Sequence, residues 1–508
     1  MISRHRFLIA VVAACGLPAL TVAQTPSPST PPPAQAAAAP TLSLEACIAR
    51  ALDRNFDLQI QRVTTGQASE AVTIADAAFD PTLELSASTN TSQQPTVVSS
   101  IDGVSAAGLR NQSRDLRAGV SQKLSTGATV NASASLDRGE SNSRNLFLNP
   151  AYTGDFNLSV RQPLLRGAGS EYSRASFRRA ELGVDRANLD LKGSVLVVVR
   201  NVEAAYYNLV FARQQRGVRQ SSLELAQQLL EENRARRQTG VATDLDVLQA
   251  EVGVANARRS LLLADQTVQD REDALTALIG QFEFNQTIGD VSFENAPVPA
   301  VSFDFSYKLA RENQPALASS AIAIRQLEID RETAKRNRLP DLGLGAGLGL
   351  NSREASYGDA ATRTFDGDGY AWQVDLTLRV PWAQREDNAR LRLAQSNIAR
   401  EQTRLQQLDQ NLVVEVRSAV RAVETNRESV AISGLATRLS ERQYELERAR
   451  FNAGLSTSRR VLEAQDDLEI ARVNELQSQV NLRIALAELQ RLEGSSLTRF
   501  RIVLDQAR

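Results

Sequence analysis

Histidine, methionine and cysteine are nearly absent from this 508-residue chain. The single histidine is His5, the single methionine is Met1, and the two cysteines are Cys15 and Cys47. His5 falls in a segment that reads as a cleaved leader, so the mature chain would carry no imidazole. That excludes histidine triads and histidine metal sites. One remaining cysteine cannot close an intrachain disulfide, and Cys47 reads as core packing on the first helix. Aromatic residues are only 5% of the chain, which argues against a large globular core. An excess of one charge is missing too. With 58 basic and 59 acidic residues the net charge is −1, and nothing favours nucleic acid. Beyond residue 40 no uninterrupted apolar run of about 18 residues occurs, so no membrane-spanning helix is expected there. If such a chain enters a membrane, it must do so as strands. What it does have is Ala, Leu, Arg, Gln, Glu and Val, the composition of long helices and coiled coils.

The first residues read as a secretory signal over 1–23: Arg4, His5 and Arg6 precede the apolar "FLIAVVAACGLPAL", and small residues in "TVAQ" offer cleavage after Ala23. A second reading takes "VAAC" as a lipoprotein box, which would leave Cys15 lipidated at the new N-terminus. Residues 24–40 form a Pro/Ala-rich linker unable to build a core.

The rest reads as two tandem copies. "ARRQTGVATDLDVLQAE" and "ARFNAGLSTSRRVLEAQ" share A-R-x-x-x-G-x-x-T-x-x-x-V-L-x-A, and Gly240 and Gly454 stand 214 residues apart. Asn55 and Pro81 of the first copy match Asn313 and Pro340 of the second, and Pro163 matches Pro381. Copy one spans 41–297 and copy two 300–497, with a C-terminal tail at 498–508. Copy one carries 41 extra residues between Pro81 and Pro163. Three- and four-residue apolar spacing predicts helices over 43–78, 170–238, 243–281, 303–337, 384–452 and 457–492. A helix over 170–238 would be a rod of roughly 100 Å, far longer than a compact domain needs.

Between the helices the period changes to two. Trp372, Val374, Leu376, Leu378 and Val380 oppose Gln373, Asp375, Thr377 and Arg379. Phe156, Leu158 and Val160 do the same, as do Leu83 with Leu85 and Leu342 with Leu344. Such alternation fits a soluble half-buried sheet or a barrel wall with lipid outside and water inside. The leader and the long rods favour the barrel. The extra residues of copy one predict a hairpin, with Leu116, Ala118 and Val120 on one strand, a turn at 125–127, and Val130, Ala132 and Ala134 on the other. It either joins the wall, giving six strands per chain, or lies outside it, leaving four.

The signal peptide, "LSLEACIARALDRN", "DPTLELSAS", "QPLLRG" and the doubled G-x-x-T-x-x-x-V-L-x-A together resemble the TolC-like outer-membrane efflux proteins over nearly all of 41–497. The order and duplication of these short motifs carry the resemblance. It implies a mainly α fold with membrane β: a homotrimer whose long α-helical barrel crosses the periplasm and joins a β-barrel in the outer membrane of a Gram-negative bacterium. It further implies a passive exit duct of a tripartite efflux or type I secretion system, contacting outer-membrane lipid and working with a periplasmic adaptor and an inner-membrane transporter. No enzyme activity, cofactor or metal is implied. In a trimer the wall would hold twelve or eighteen strands.

The resemblance assigns adaptor docking to the two turns, Gly240, Val241, Ala242 and Thr243, and Gly454, Leu455, Ser456 and Thr457. The residue types there already suit a helix C-terminus followed by an N-cap. Acidic residues often follow the second turn in such proteins and line a closed entrance. This chain has Arg460 and Glu463 there, and Asp246 is the first-copy counterpart of Arg460. Arg460 and Asp246 are therefore expected to pair across neighbouring helices and hold the entrance shut, with Arg459 and Asp244 taking part. The alternative is that these are solvated helix charges worth under ~1 kcal/mol each. The rival function is a periplasmic coiled-coil scaffold or adaptor without a pore.

Overall fold

The computed structural model describes residues 42–503, apart from 96, 99–104, 107, 144–145, 281–288, 294–298 and 367. The expected signal peptide, the linker, Cys15 and the end of the C-terminal tail lie outside the described residues.

Each half runs helix pair, strands, long helix, turn, return helix. The first half has α1 (Leu44–Arg54), α2 (Phe56–Asp76), β1 (Thr82–Gln93), β2 (Arg110–Lys123), β3 (Thr129–Ser141), β4 (Ala151–Pro163), α3 (Ala175–Gln238) and α4 (Asp244–Leu278). The second has α5 (Phe303–Asn313), α6 (Pro315–Asn337), β5 (Asp341–Glu354), β6 (Gly369–Arg379), α7 (Arg385–Asn452) and α8 (Ser458–Glu493). At 64 and 68 residues, α3 and α7 are rods of about 100 Å.

Two expected single helices are broken. The helix expected over 43–78 stops at Asn55, whose ψ of 128° is extended. Its side-chain oxygen accepts from the Asp57 and Leu58 amides, starting α2, while Nδ2 donates to the Leu278 carbonyl at 2.9 Å. The helix expected over 303–337 stops at Gln314, because a residue before proline is pushed out of the α region. Likewise α3 begins at Ala175 rather than 170, after a single separate turn at Ser170–Ser173.

The six strands form one antiparallel sheet in chain order, β1 to β6. The hairpin β2–β3 is part of that sheet, between β1 and β4, so the sheet of one chain has six strands. Gly127, at φ +90°, makes its turn. Register partners share a face, so the rows can be read across the sheet. One row is Leu83, Val120, Ala132, Leu158, Leu348 and Trp372. The row above it is Leu85, Ala118, Ala134, Phe156, Leu350 and Tyr370. The opposite face carries Thr82, Ser121, Asn131, Ser159, Gly347 and Gln373. The apolar face is largely uncovered: Trp372 is 72% exposed and Leu348 42%.

The core sits among the helices in two matching clusters. In the first, Cys47, Ile48 and Leu58 pack on Val199, Val202, Tyr207 and Leu209 of α3. In the second, Ala310 packs on Val416, Val420 and Val423 of α7 and on Leu486 and Leu489 of α8. Cys47 is fully buried there, and burial pushes its thiol up to about 11, against the opposing pull of Arg50. The middle of α3 is apolar enough to cross a membrane by composition, yet most of it is buried in the first cluster.

Candidate channel entrance and docking turns

Both long helices end in the same turn. At the end of α3, the amide of Gly240 donates to the Arg237 carbonyl at 3.0 Å and that of Val241 to Arg236 at 2.9 Å. At the end of α7, Gly454 donates to Phe451 at 3.0 Å and Leu455 to Arg450 at 2.8 Å. This is the Schellman pattern, which needs a left-handed residue. Gly240 and Gly454 both have φ of +76°, where a Cβ would be strained. Beyond each glycine an apolar side chain points into solvent: Val241 is 73% exposed and Leu455 72%.

The starts of the return helices differ. Thr243 caps α4 in a reciprocal capping box: its hydroxyl accepts from the Asp246 amide at 3.2 Å, and its own amide donates to Asp246 Oδ2 at 2.9 Å. Thr457 occupies the same place before α8 but its side chain caps nothing. The third helical residue is Arg460 there, not an acid, so no carboxylate completes the box. A cation in a first helical turn is also unfavourable to the helix dipole.

The five expected entrance charges are placed as follows. Asp246 is held by Thr243. Asp244 pairs with Arg237 at 2.6 Å, and Arg459 with Glu463 at 2.9 Å, one turn apart. Arg460 makes no ion pair among the described residues, and within the chain it does not meet Asp246. All five stand next to the turns.

The hydroxyl and the amide of Thr243 both stabilise the Asp246 carboxylate and lower its pKa below the usual 3.8. A lowered folded value means the stabilisation is complete above the unfolded pKa and is lost as pH falls through the folded one. Thr243→Ala is expected to cost about 1 kcal/mol at the start of α4. Hydrogen exchange at residues 244–248 should quicken several-fold at pH 7. Wild type should lose the same protection only below about pH 4, while the start of α8, with no box, should show no such acid step.

Sequence reasoning missed the contacts that hold the two turns together. The Arg236 guanidinium lies 4.0 Å over the Phe451 ring, donates to the Phe451 carbonyl at 3.0 Å, and reaches Asn452 Oδ1 at 3.4 Å. Beneath it the buried Ser458 hydroxyl donates to Asn233 Oδ1 at 2.7 Å, and Leu229, Phe451 and Val461 form a small apolar cluster. Arg236 was visible as the arginine of the repeated motif. Its partner was not, because the second copy has Phe451 where the first has Arg237.

Further along the rod, Gln465 Nε2 donates to the Ser222 carbonyl at 2.8 Å. Arg219 and Glu469 form a close ion pair joining α3 to α8. Asp466, beside them, is raised by burial and by Asp467, with Arg219 opposing. Arg219, Gln465, Asp466 and Glu469 line a groove of about 660 Å³ with Leu248, Val252 and Leu462.

Helical rods about 100 Å long, joined to a sheet with one apolar exposed face, define an outer-membrane channel protein. A profile of the outer membrane efflux protein family matches residues 129–281 and 306–495. The chain therefore belongs to the outer membrane efflux protein family, proteins of the Gram-negative outer membrane that transport rather than catalyse. It is 26% identical over 344 residues to the pyoverdine export outer membrane protein OpmQ of Pseudomonas putida, covering 65% of this chain and 70% of that one. It is 25% identical over 378 residues to outer membrane protein OprJ of Pseudomonas aeruginosa, covering 68% and 75%. Among solved structures the Campylobacter jejuni CmeC outer membrane channel superposes with a TM-score of 0.67 at 18% identity, over 91% of this chain and 90% of that one. The outer-membrane channel OprN gives 0.67 at 16% identity, over 89% of each chain.

Proposed function

We propose that three copies of this chain assemble into one continuous exit duct, an eighteen-stranded barrel in the outer membrane set on a helical barrel crossing the periplasm. The observation that carries this reading is the sheet. One of its faces is apolar over several rows, and among the described residues of the single chain its two edges, β1 and β6, are unpaired. Unpaired strand edges are not tolerated in lipid. β1 and β6 run antiparallel to each other, so the edge of one copy can accept the edge of the next, and rotational symmetry closes the wall. Six strands alone are too few to enclose a pore.

The same symmetry gives six Schellman turns at the far end of the rod. Their exposed Val241 and Leu455 suit docking of a periplasmic adaptor, and the adaptor would link the duct to an inner-membrane transporter. Because Asp246 is occupied by its own cap, the entrance charge most available to a neighbouring copy is Arg460. One relative is named as a pyoverdine export outer membrane protein, which supports an export duct whose cargo is chosen by the pump. The assembly is tested by native mass spectrometry of detergent-extracted protein. The expected mass is that of three processed chains, and a monomer or dimer as the only species would overturn the reading.

The entrance charges make a further expectation. Arg460→Ala with Glu463→Ala should give larger or more frequent openings than wild type in planar bilayers. Unchanged openings would leave the duct intact and remove these charges from its gate.

A further inference from the structure

We propose that the outward face of β2, just above the apolar band, binds the phosphate groups of an anionic glycolipid in the outer leaflet. The inference rests on the outer-membrane location and on the apolar face of the sheet being the lipid-facing one.

The highest leucine row of that face is Leu116 opposite Leu136. The next row up, two residues and about 6.6 Å further along the strand, is Arg114 directly opposite Arg138. Arg110 follows on the same strand and the same face, four residues beyond Arg114. This end of the sheet points away from the long helices, with only the short helix Tyr357–Arg363 packed beside it through Tyr357 on Tyr152, and so lies on the outer-leaflet side. Like charges directly opposite one another destabilise a sheet unless something neutralises them. Glu140 meets Arg138 at 2.9 Å. Arg114 and Arg110 are exposed and make no ion pair among the described residues. Two uncompensated guanidinium groups at the boundary of an apolar band, beside a third, call for an anion that sits where acyl chains end. A phosphate matches the planar fork of arginine in two parallel hydrogen bonds. A lipid bearing phosphate on a sugar headgroup places two such groups at that height with its acyl chains against Leu116 and Leu136.

The test uses the full-length assembly purified in detergent and titrated with diphosphoryl lipid A, monophosphoryl lipid A or phosphatidylglycerol, with bound lipid counted by native mass spectrometry. Arg110→Gln with Arg114→Gln is compared with Arg117→Gln, which alters the same strand on its opposite face, where Arg117 faces Ser135. Wild type should bind the diphosphoryl form more tightly than the other two. The double variant should bind it about tenfold more weakly, the loss of one or two charge-assisted hydrogen bonds, and Arg117→Gln should bind as wild type does. Equal binding by wild type and the double variant, an equal loss in Arg117→Gln, or no preference over phosphatidylglycerol would overturn the proposal. Conductance of the same samples separates the two readings: loss of lipid binding with conductance retained concerns this site alone, whereas absent conductance with lipid binding retained concerns the duct.

Discussion

Leu348→Arg is expected to abolish assembly in the outer membrane. Leu348 lies in the middle of β5, between its register partners Leu158 and Trp372, on the exposed apolar face. An arginine at bilayer mid-depth costs a β-barrel about 2–4 kcal/mol. In a symmetric assembly the cost recurs in every copy, which is comparable with the stability of an ordinary domain. Gln373→Arg is the matched control. Gln373 is the residue after Trp372 on β6, and it opposes Gly347 on the polar face. It should reach the membrane in wild-type amounts. The measurement is the fraction of each variant recovered from outer membranes as oligomer. Equal recovery of Leu348→Arg and Gln373→Arg would mean that this face does not meet lipid.

Removing the β2–β3 hairpin is expected to narrow the barrel without destroying it. Both strands can be excised between the ends of β1 and β4 that lie away from the long helices, because dropping an adjacent pair preserves the antiparallel order of the rest. β1 would then pair with β4, with Leu83 and Leu85 still able to share a face with Leu158 and Phe156. Barrel diameter grows roughly linearly with strand number. A trimer reduced from eighteen strands to twelve should therefore show a barrel about two-thirds as wide in electron-microscope projections, above an unchanged helical rod. An unchanged width would place the hairpin outside the wall.

The alternation at Trp372–Val380 and the long apolar periods of α3 and α7 made the helices and most of the sheet legible from residue order alone. Those signals come from one residue's relation to the next, and they survive without tertiary information. The hairpin was less legible because the first half of β3, apart from Val130, is threonine, asparagine, alanine and serine. Small side chains carry little hydrophobic contrast, and only the register with Leu116 and Leu158 reveals which of them face outward. The break at Gln314 was readable in Pro315. The break at Asn55 was not, since its amide is committed to Leu278, 223 residues away. At the turns, Gly240 and Gly454 advertised their left-handed conformation. The division of labour among the charges did not show, because it depends on which acceptor each side chain reaches first. Asp246 closes on Thr243 within one turn, so a distant arginine must compete with a local cap. Arg236 finds Phe451 only because the two turns pack side by side.

Single-channel recording of the purified, membrane-extracted oligomer in a planar bilayer tests most directly whether this chain builds a passage through the outer membrane. Discrete, reproducible current steps from folded protein are the expected result. A folded oligomer that inserts and carries no current, with or without the entrance substitutions, would contradict it and leave a scaffold without a pore.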